Sequence, residues 1–258
     1  RAMEHGVEYH LSSGLDEIVG LDGRVAGVRI SGERFQADAV IMAVRVRPHA
    51  DLAREAGIQL GEFGGIRTED SMETSAKAVY AAGDCVETFD RITKRHVFFQ
   101  LATTAVRQAM IAGINAAGGR GKYPGSTGVT TVKLFGLEVA SLGVTSLAAS
   151  RAGIHPVTVR VTGSTRLDYY PGGKELTVKL FARPEDGRLI GAQLVGEEGA
   201  ALRANFASMA AHLGLTAEEF AGIETCYSPP LAPVWDPVTV AAQALVRKLQ
   251  LANPIRLS

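Results

Sequence analysis

Cysteine is almost missing from these 258 residues. Cys85 and Cys226 lie far apart, with no Cys-x-x-Cys or metal-ligand spacing, which excludes a disulfide scaffold and a zinc site. The six histidines likewise form no metal-like spacing, so no metal is expected. Net charge is absent too: 27 basic side chains balance 27 acidic ones, leaving no global field to gather nucleic acid or coat an anionic membrane. No apolar run approaches the roughly 18–20 residues that cross a bilayer. The amino terminus, Arg1-Ala-Met-Glu-His-Gly6, is no signal peptide and does not begin with methionine. It reads as a fragment or a processed chain that enters its pattern part-way through a domain. Low cysteine usage fits a reducing cytoplasm.

The content that remains is that of a globular protein, with 46% hydrophobic residues supporting a substantial core. Strand-like runs are expected at Val7–Ser13, Asp16–Leu21 and Arg24–Ser31. Asp22-Gly23 joins the last two, a dipeptide suited to a two-residue hairpin turn whose central positions both take positive φ. Phe35–Val44 contains the continuous apolar stretch Ala39–Val44, expected as a strand buried on both faces. Asp51–Gly57 reads as a short helix closed by Gly57. Val79–Asp84 reads as a short apolar strand ending in a Gly-Asp corner.

From Phe98 to Gly118 the only charge is Arg107, so a buried helix is expected there, its amino end inside the protein. Gly119–Gly125 is the expected domain boundary. Beyond it come strands at Thr130–Phe135 and Glu138–Gly143, a helix at Ser146–Gly153, then antiparallel strands at Val157–Thr162, Arg166–Tyr170, Leu176–Ala182 and Leu189–Val195. Gly172-Gly173 and Pro184–Gly187 supply turns. A helix over Gly199–Leu213 follows, then a shorter one opened by the capping box Thr216-Ala-Glu-Glu219. An antiparallel sheet with helices on one side is an α+β layer.

The segment Val79-Tyr-Ala-Ala-Gly-Asp84-Cys85 carries the chemistry. Glycine at a strand's end lets a ligand approach the backbone, and a following carboxylate can accept hydrogen bonds from polyol hydroxyls. On physics alone a Gly-Asp corner is more often a plain turn. The whole string resembles the second FAD-binding motif of the pyridine nucleotide–disulfide oxidoreductases, and the resemblance implies that Asp84 binds the flavin ribityl chain and that Gly83 permits the approach. Phe99-Gln-Leu-Ala-Thr-Thr-Ala105 is similar to that family's helix start, whose amino end faces the flavin pyrimidine. Leu101, Ala102 and Thr103 are then its expected neighbours, and the dipole and free N–H groups there favour negative charge. Ala43–Gly57 is similar to the family's connection from the nicotinamide domain back to the flavin domain, with Val44 and Arg45 where Thr and Gly are usual and His49 where Asn is usual.

The carboxy-terminal motifs narrow the resemblance. Tyr169-Tyr-Pro-Gly172, Gly187–Gly196 and Cys226-Tyr-Ser-Pro-Pro-Leu-Ala-Pro-Val-Trp-Asp-Pro237 resemble the dimerisation domain of coenzyme A disulfide reductases and the related NADH oxidases and persulfide reductases. The resemblance implies two catalytic tyrosines, Tyr169 and Tyr227, that reach the partner subunit's site. A phenol can donate to a thiolate or a disulfide, although a tyrosine in a proline-rich loop is ordinarily a packing anchor. Trp235-Asp236-Pro237 reads as a structural corner, Cys85 as a small buried hydrophobe, and neither cysteine as a redox centre.

The implied fold is α/β plus α+β: residues 1–46 ending a nicotinamide-binding domain, 47–120 the carboxy-terminal part of an FAD domain, and 126–258 an antiparallel dimerisation domain. FAD is the implied cofactor, NAD(P)H the co-substrate, and a homodimer through 126–258 the implied assembly. Neither a Gly-x-Gly-x-x-Gly loop nor the family's catalytic cysteine occurs in the 258 residues. The expected activity, electron passage from NAD(P)H through FAD to coenzyme A disulfide, therefore belongs to a longer parent. Dioxygen, persulfide or polysulfide are alternative acceptors. A non-catalytic dimerisation module, or one chain of a split enzyme that joins a separate amino-terminal half, are alternative roles.

Overall fold

The computed structural model describes residues 1–44 and 46–252. Arg45, the bulky residue expected at the family's tight crossing, lies outside the described residues. The chain divides into two compact units, Arg1–Arg47 and Pro48–Ser258.

The first unit is a three-stranded antiparallel meander of β1 (Leu15–Leu21), β2 (Arg24–Ile30) and β3 (Glu33–Phe35). Asp22 and Gly23 take φ of 51° and 75° between β1 and β2, the conformation that the Asp-Gly pair anticipates. Two expectations fail here. Val7–Ser13 forms no strand; a 3₁₀ turn at Met3–His5 and a bend with Ser12 at φ 58° precede β1 instead. Ala39–Val44 forms none either, and Ile41 is 92% exposed. A strand that is apolar on both faces needs flanking strands to take its hydrogen bonds, and no described strand pairs with this one.

The second unit opens with α1 (Asp51–Glu55), closed as anticipated by Gly57 at φ 72°. A small core of Ala50, Ala53, Ile66 and Val86 follows. Val79–Asp84 forms only a single bridge, Tyr80 to Glu73, rather than a strand. The hairpin β4 (Thr88–Phe89) and β5 (His96–Val97) leads into α2 (Ala102–Ala116).

The expectation that α2 is buried on its apolar sides is overturned. Val106, Met110 and Ile114 are exposed, while Thr104, Gln108 and Asn115 face inward. Hydrogen bonds explain the inversion. Asn115 donates to the Ser71 and Gly121 carbonyls and accepts from Gly121 N–H at 2.6 Å, so each buried polar group has a partner. The expected boundary at Gly119–Gly125 is tied down by these bonds, by Tyr123 N–H to the Asp70 carbonyl at 2.7 Å, and by burial of the Tyr123 ring.

The remainder is a five-stranded antiparallel sheet in the order β6 (Thr130–Leu134), β7 (Leu137–Gly143), β10 (Leu189–Gly196), β9 (Glu175–Ala182), β8 (Val157–Ser164). Alternation places Leu176, Val178, Leu180, Ala192 and Leu194 on one fully buried face. Each such Leu or Val contributes roughly 1.5–3 kcal/mol. Against that face lie α4 (Ala200–Leu213) and α6 (Pro237–Ala252). Small side chains at 200, 204, 207, 210 and 211 let α4 sit close on the sheet. The short helices α3 (Ser146–Ala152) and α5 (Ala217–Ala221) complete the unit. Helices against one face of an antiparallel sheet is the layer anticipated for this region.

Arg166–Tyr170, anticipated as a strand, is a turn, and α6 adds a helix where the sequence predicts none. The capping box is present in full: Thr216 Oγ1 accepts from Glu219 N–H at 3.1 Å, and Glu219 Oε2 accepts from Thr216 N–H at 2.7 Å. Those bonds from Thr216 hold the Glu219 carboxyl below its ordinary pKa. The stabilisation is therefore complete above the ordinary carboxyl range and is lost as pH falls through the folded-state pKa. Thr216→Ala is expected to cost about 1 kcal/mol, read in urea titrations at neutral pH. A cost indistinguishable from zero would contradict this account of the cap.

Candidate functional site

Gly83 turns the chain at φ 89°, a conformation that side chains other than glycine rarely adopt. A Cβ here would find space, its nearest neighbour being Ala105 Cβ at 3.7 Å, so backbone conformation rather than crowding selects glycine. The Gly83 N–H donates to Gln108 Oε1 at 2.9 Å, and the Gly83 carbonyl accepts from Val86 N–H at 3.0 Å. The corner therefore lies along the first two turns of α2. Asp84, which follows, is exposed, and its carboxylate makes no hydrogen bond or ion pair with any described residue. An uncommitted carboxylate on a fixed corner is ready to accept hydrogen bonds from a ligand.

At the head of α2, Leu101 is extended and supplies no side-chain cap. The first bond of the turn runs from Ala105 N–H to the Leu101 carbonyl at 2.9 Å, which leaves the N–H groups of Ala102, Thr103 and Thr104 without helical acceptors. Ala102 and Thr103 are exposed. The amino end of α2 is open at the surface, not enclosed as the sequence had suggested, and it points a partial positive charge outward. The structure thus brings Gly83, Asp84, Leu101, Ala102 and Thr103 to one helix and its neighbouring corner. Cys85 beside them is half-buried; burial is the largest cause raising its pKa, opposed by a backbone hydrogen bond and reinforced by the Asp84 charge. It is a protonated thiol at neutral pH.

Tyr169 and Tyr227 also meet. The first sits in the turn between β8 and β9, the second in the loop between α5 and α6, and both rings are exposed. A hydrogen bond with Tyr227 is the foremost cause raising the Tyr169 pKa, ahead of desolvation and the Tyr227 charge. Among the described residues no hydrogen bond, ion pair or ring contact links this pair to the Asp84 corner.

A cavity of about 1130 Å³ between the β4–β5 hairpin and α3 contains none of the anticipated residues. One oxygen of its buried carboxylate, Glu87 Oε1, is committed to the turn at 61–65, accepting from Phe63 N–H at 2.6 Å and Gly65 N–H at 3.3 Å, while Oε2 makes no hydrogen bond and stands 3.9 Å from Arg67 Nη1. Burial, and then the Arg67 charge, lower the pKa of the neighbouring His96, leaving a neutral ring.

Residues 1–109 match the pyridine nucleotide-disulphide oxidoreductases, and residues 129–237 match the dimerisation domain of the same enzymes. The chain belongs to this family. It is 39% identical over 246 residues to an NADH oxidase of Methanocaldococcus jannaschii, covering 95% of this chain and 54% of that protein. It is 38% identical over 255 residues to a CoA-dependent NAD(P)H sulfur oxidoreductase of Pyrococcus abyssi, covering 94% of this chain and 55% of the relative. The structure of a NAD-dependent persulfide reductase from A. fulgidus superposes with a TM-score of 0.93 at 34% identity, covering 97% of this chain and 46% of that one. The chain spans about half the length of the curated relatives it matches. The family uses FAD and NAD(P)H, and the uncommitted Asp84, the Gly83 corner and the uncapped α2 suit the polyol and pyrimidine portions of FAD. Among the described residues no cluster of metal-ligating side chains occurs and no helix is long and apolar enough to cross a membrane.

Sequence reasoning passed over Gln108. The signal was present: Thr104, Gln108 and Asn115 are polar residues of one helix face in an otherwise apolar helix.

Proposed function

We propose that this chain is the flavin-binding floor and dimerisation region of an NAD(P)H-dependent oxidoreductase whose acceptor is a disulfide or persulfide carried by coenzyme A. In this reading residues 1–46 end a nicotinamide-binding domain, 47–120 complete an FAD domain, and 126–258 form the homodimer interface. FAD, when bound, supplies two-electron transfer between a nicotinamide and a thiol–disulfide centre. Asp84 would accept hydrogen bonds from the ribityl hydroxyls. The open end of α2, at Leu101, Ala102 and Thr103, would offer its N–H groups to a negatively charged pyrimidine edge. The exposed apolar face of Val106, Met110 and Ile114 suits cover by an amino-terminal half.

The observation that carries the acceptor is the Tyr169–Tyr227 pair. Cleaving a sulfur–sulfur bond with two electrons leaves thiolates, and a phenol kept protonated at neutral pH donates a hydrogen bond to the leaving sulfur. Two exposed loops can carry that pair into a partner subunit's site. The sulfur chemistry named for the Pyrococcus abyssi relative supports this choice.

In the complete gene product, Tyr227→Phe is expected to lower kcat/KM with coenzyme A disulfide about tenfold at unchanged flavin content, the loss of one hydrogen bond to a charged group. Turnover equal to wild type would reduce Tyr227 to a packing residue. NADH-driven oxygen uptake without any sulfur acceptor would instead favour dioxygen, the reading consistent with the name of the Methanocaldococcus jannaschii relative. A colourless dimer that takes up no flavin would mark a dimerisation module.

A further inference from the structure

Gln108 is completely buried, and a buried amide is tolerated only when its groups are paired. Its Oε1 accepts the Gly83 N–H at 2.9 Å and its Nε2 donates to Thr88 Oγ1 at 2.9 Å. These partners bracket the Asp84 corner, Gly83 directly before it and Thr88 at the start of β4. Gln108 stands two helical turns beyond Leu101, roughly 10 Å along the axis. One side chain therefore ties the corner that carries the carboxylate to the helix whose open end supplies the N–H groups. The Gly83 N–H has no other acceptor, because the left-handed turn removes it from any ladder.

We propose that Gln108 is a positioning residue for flavin binding: acting through Gly83, it sets the spacing between the Asp84 carboxylate and the amino end of α2. It touches neither the polyol nor the pyrimidine. The inference rests on the flavin reading above. Asn115 offers an internal comparison, since it is a second buried amide on α2 with both its carbonyl and its amino group hydrogen-bonded, directed to Ser71 and Gly121 at the helix's far end.

The test uses the complete gene product stripped of flavin, with FAD affinity measured by fluorescence titration, the reduction potential of the bound flavin, and thermal unfolding of the apoprotein. Gln108→Leu is expected to weaken FAD about tenfold or more and to shift the flavin potential. Asn115→Leu is expected to lower the apoprotein Tm by a similar amount with FAD affinity within about twofold. Thr88→Val, which leaves the Gly83 bond in place, is expected to keep both affinity and potential close to wild type. Should Gln108→Leu not fold, Gln108→Asn keeps the amide but withdraws its carbonyl from Gly83 by one methylene, and the same loss is expected. Unaltered FAD affinity and potential in the Gln108 variants overturns the proposal, as does an equal loss in Asn115→Leu. Wild type that takes up no FAD defeats the flavin reading and this inference together, a result distinct from wild type that binds FAD with an indifferent Gln108.

Discussion

Asp84→Ala is expected to weaken FAD binding by about 100-fold while leaving the stability of the apoprotein within roughly 0.5 kcal/mol of wild type. The separation of the two effects follows from what the carboxylate touches. It is exposed and has no partner among the described residues, so its removal breaks nothing inside the protein. A ligand polyol that donates two hydrogen bonds to it loses about 1.5 kcal/mol or more for each, near 3 kcal/mol together. Asp84→Asn keeps an acceptor without the charge and is expected to lose about tenfold. A readout independent of flavin lies next door. The Asp84 charge is one of the causes raising the Cys85 pKa, behind burial, so either substitution should lower the Cys85 pKa, seen as faster alkylation at a given pH. Wild-type FAD affinity in Asp84→Ala would remove the flavin role from this corner, and unchanged alkylation would show that the carboxylate does not face the thiol.

Much of the architecture was legible because it is local. The Asp22-Gly23 turn, the capping box at Thr216 and Glu219, and the alternating strands of the five-stranded sheet each depend on residues a few positions apart, and each formed where the pattern put it. Errors arose where a pattern depends on distant partners. Ala39–Val44 has the composition of a strand buried on both faces, yet composition cannot provide the neighbouring strands that such a strand requires. The helix α2 misled in a related way, since mean apolarity said buried while the polar side chains at 104, 108 and 115 claimed the interior through specific hydrogen bonds. Arg166–Tyr170 reads as alternating, but Arg166 is held back by the Pro171 carbonyl and the segment turns. The site divides along the same line. The candidates Gly83 and Asp84 stand in one string of adjacent residues. The meeting of Tyr169 with Tyr227 and the grip of Gln108 on Gly83 are long-range contacts, and only the three-dimensional structure displays them.

The largest stability loss is expected at Asp236→Ala. Asp236, a structural corner by its sequence, is the start of α6 in the structure: Oδ1 accepts the Val238 N–H at 2.9 Å, and its carbonyl accepts from Val240 N–H at 2.9 Å. Its other oxygen, Oδ2, takes a 2.7 Å hydrogen bond from Arg203 Nε on α4. Both side chains are largely withdrawn from water, Arg203 at 15% and Asp236 at 10% exposure. Removing the carboxylate strands the guanidinium, which costs about 3 kcal/mol or more, and removing the cap adds about 1 kcal/mol. Asp236→Asn retains the Val238 bond and should cost less than half as much. Adding Arg203→Met to Asp236→Ala should recover part of the loss, because the pair is then replaced by apolar contact rather than broken. Urea titration of the four proteins measures this directly, and a double variant no more stable than Asp236→Ala would show that the ion pair is not the source of the cost. The effect reaches the proposed chemistry. The loop that holds Tyr227 ends at Asp236, so loosening the start of α6 frees that loop, and the Tyr169 pKa should fall toward its ordinary value as the hydrogen bond between the phenols is lost.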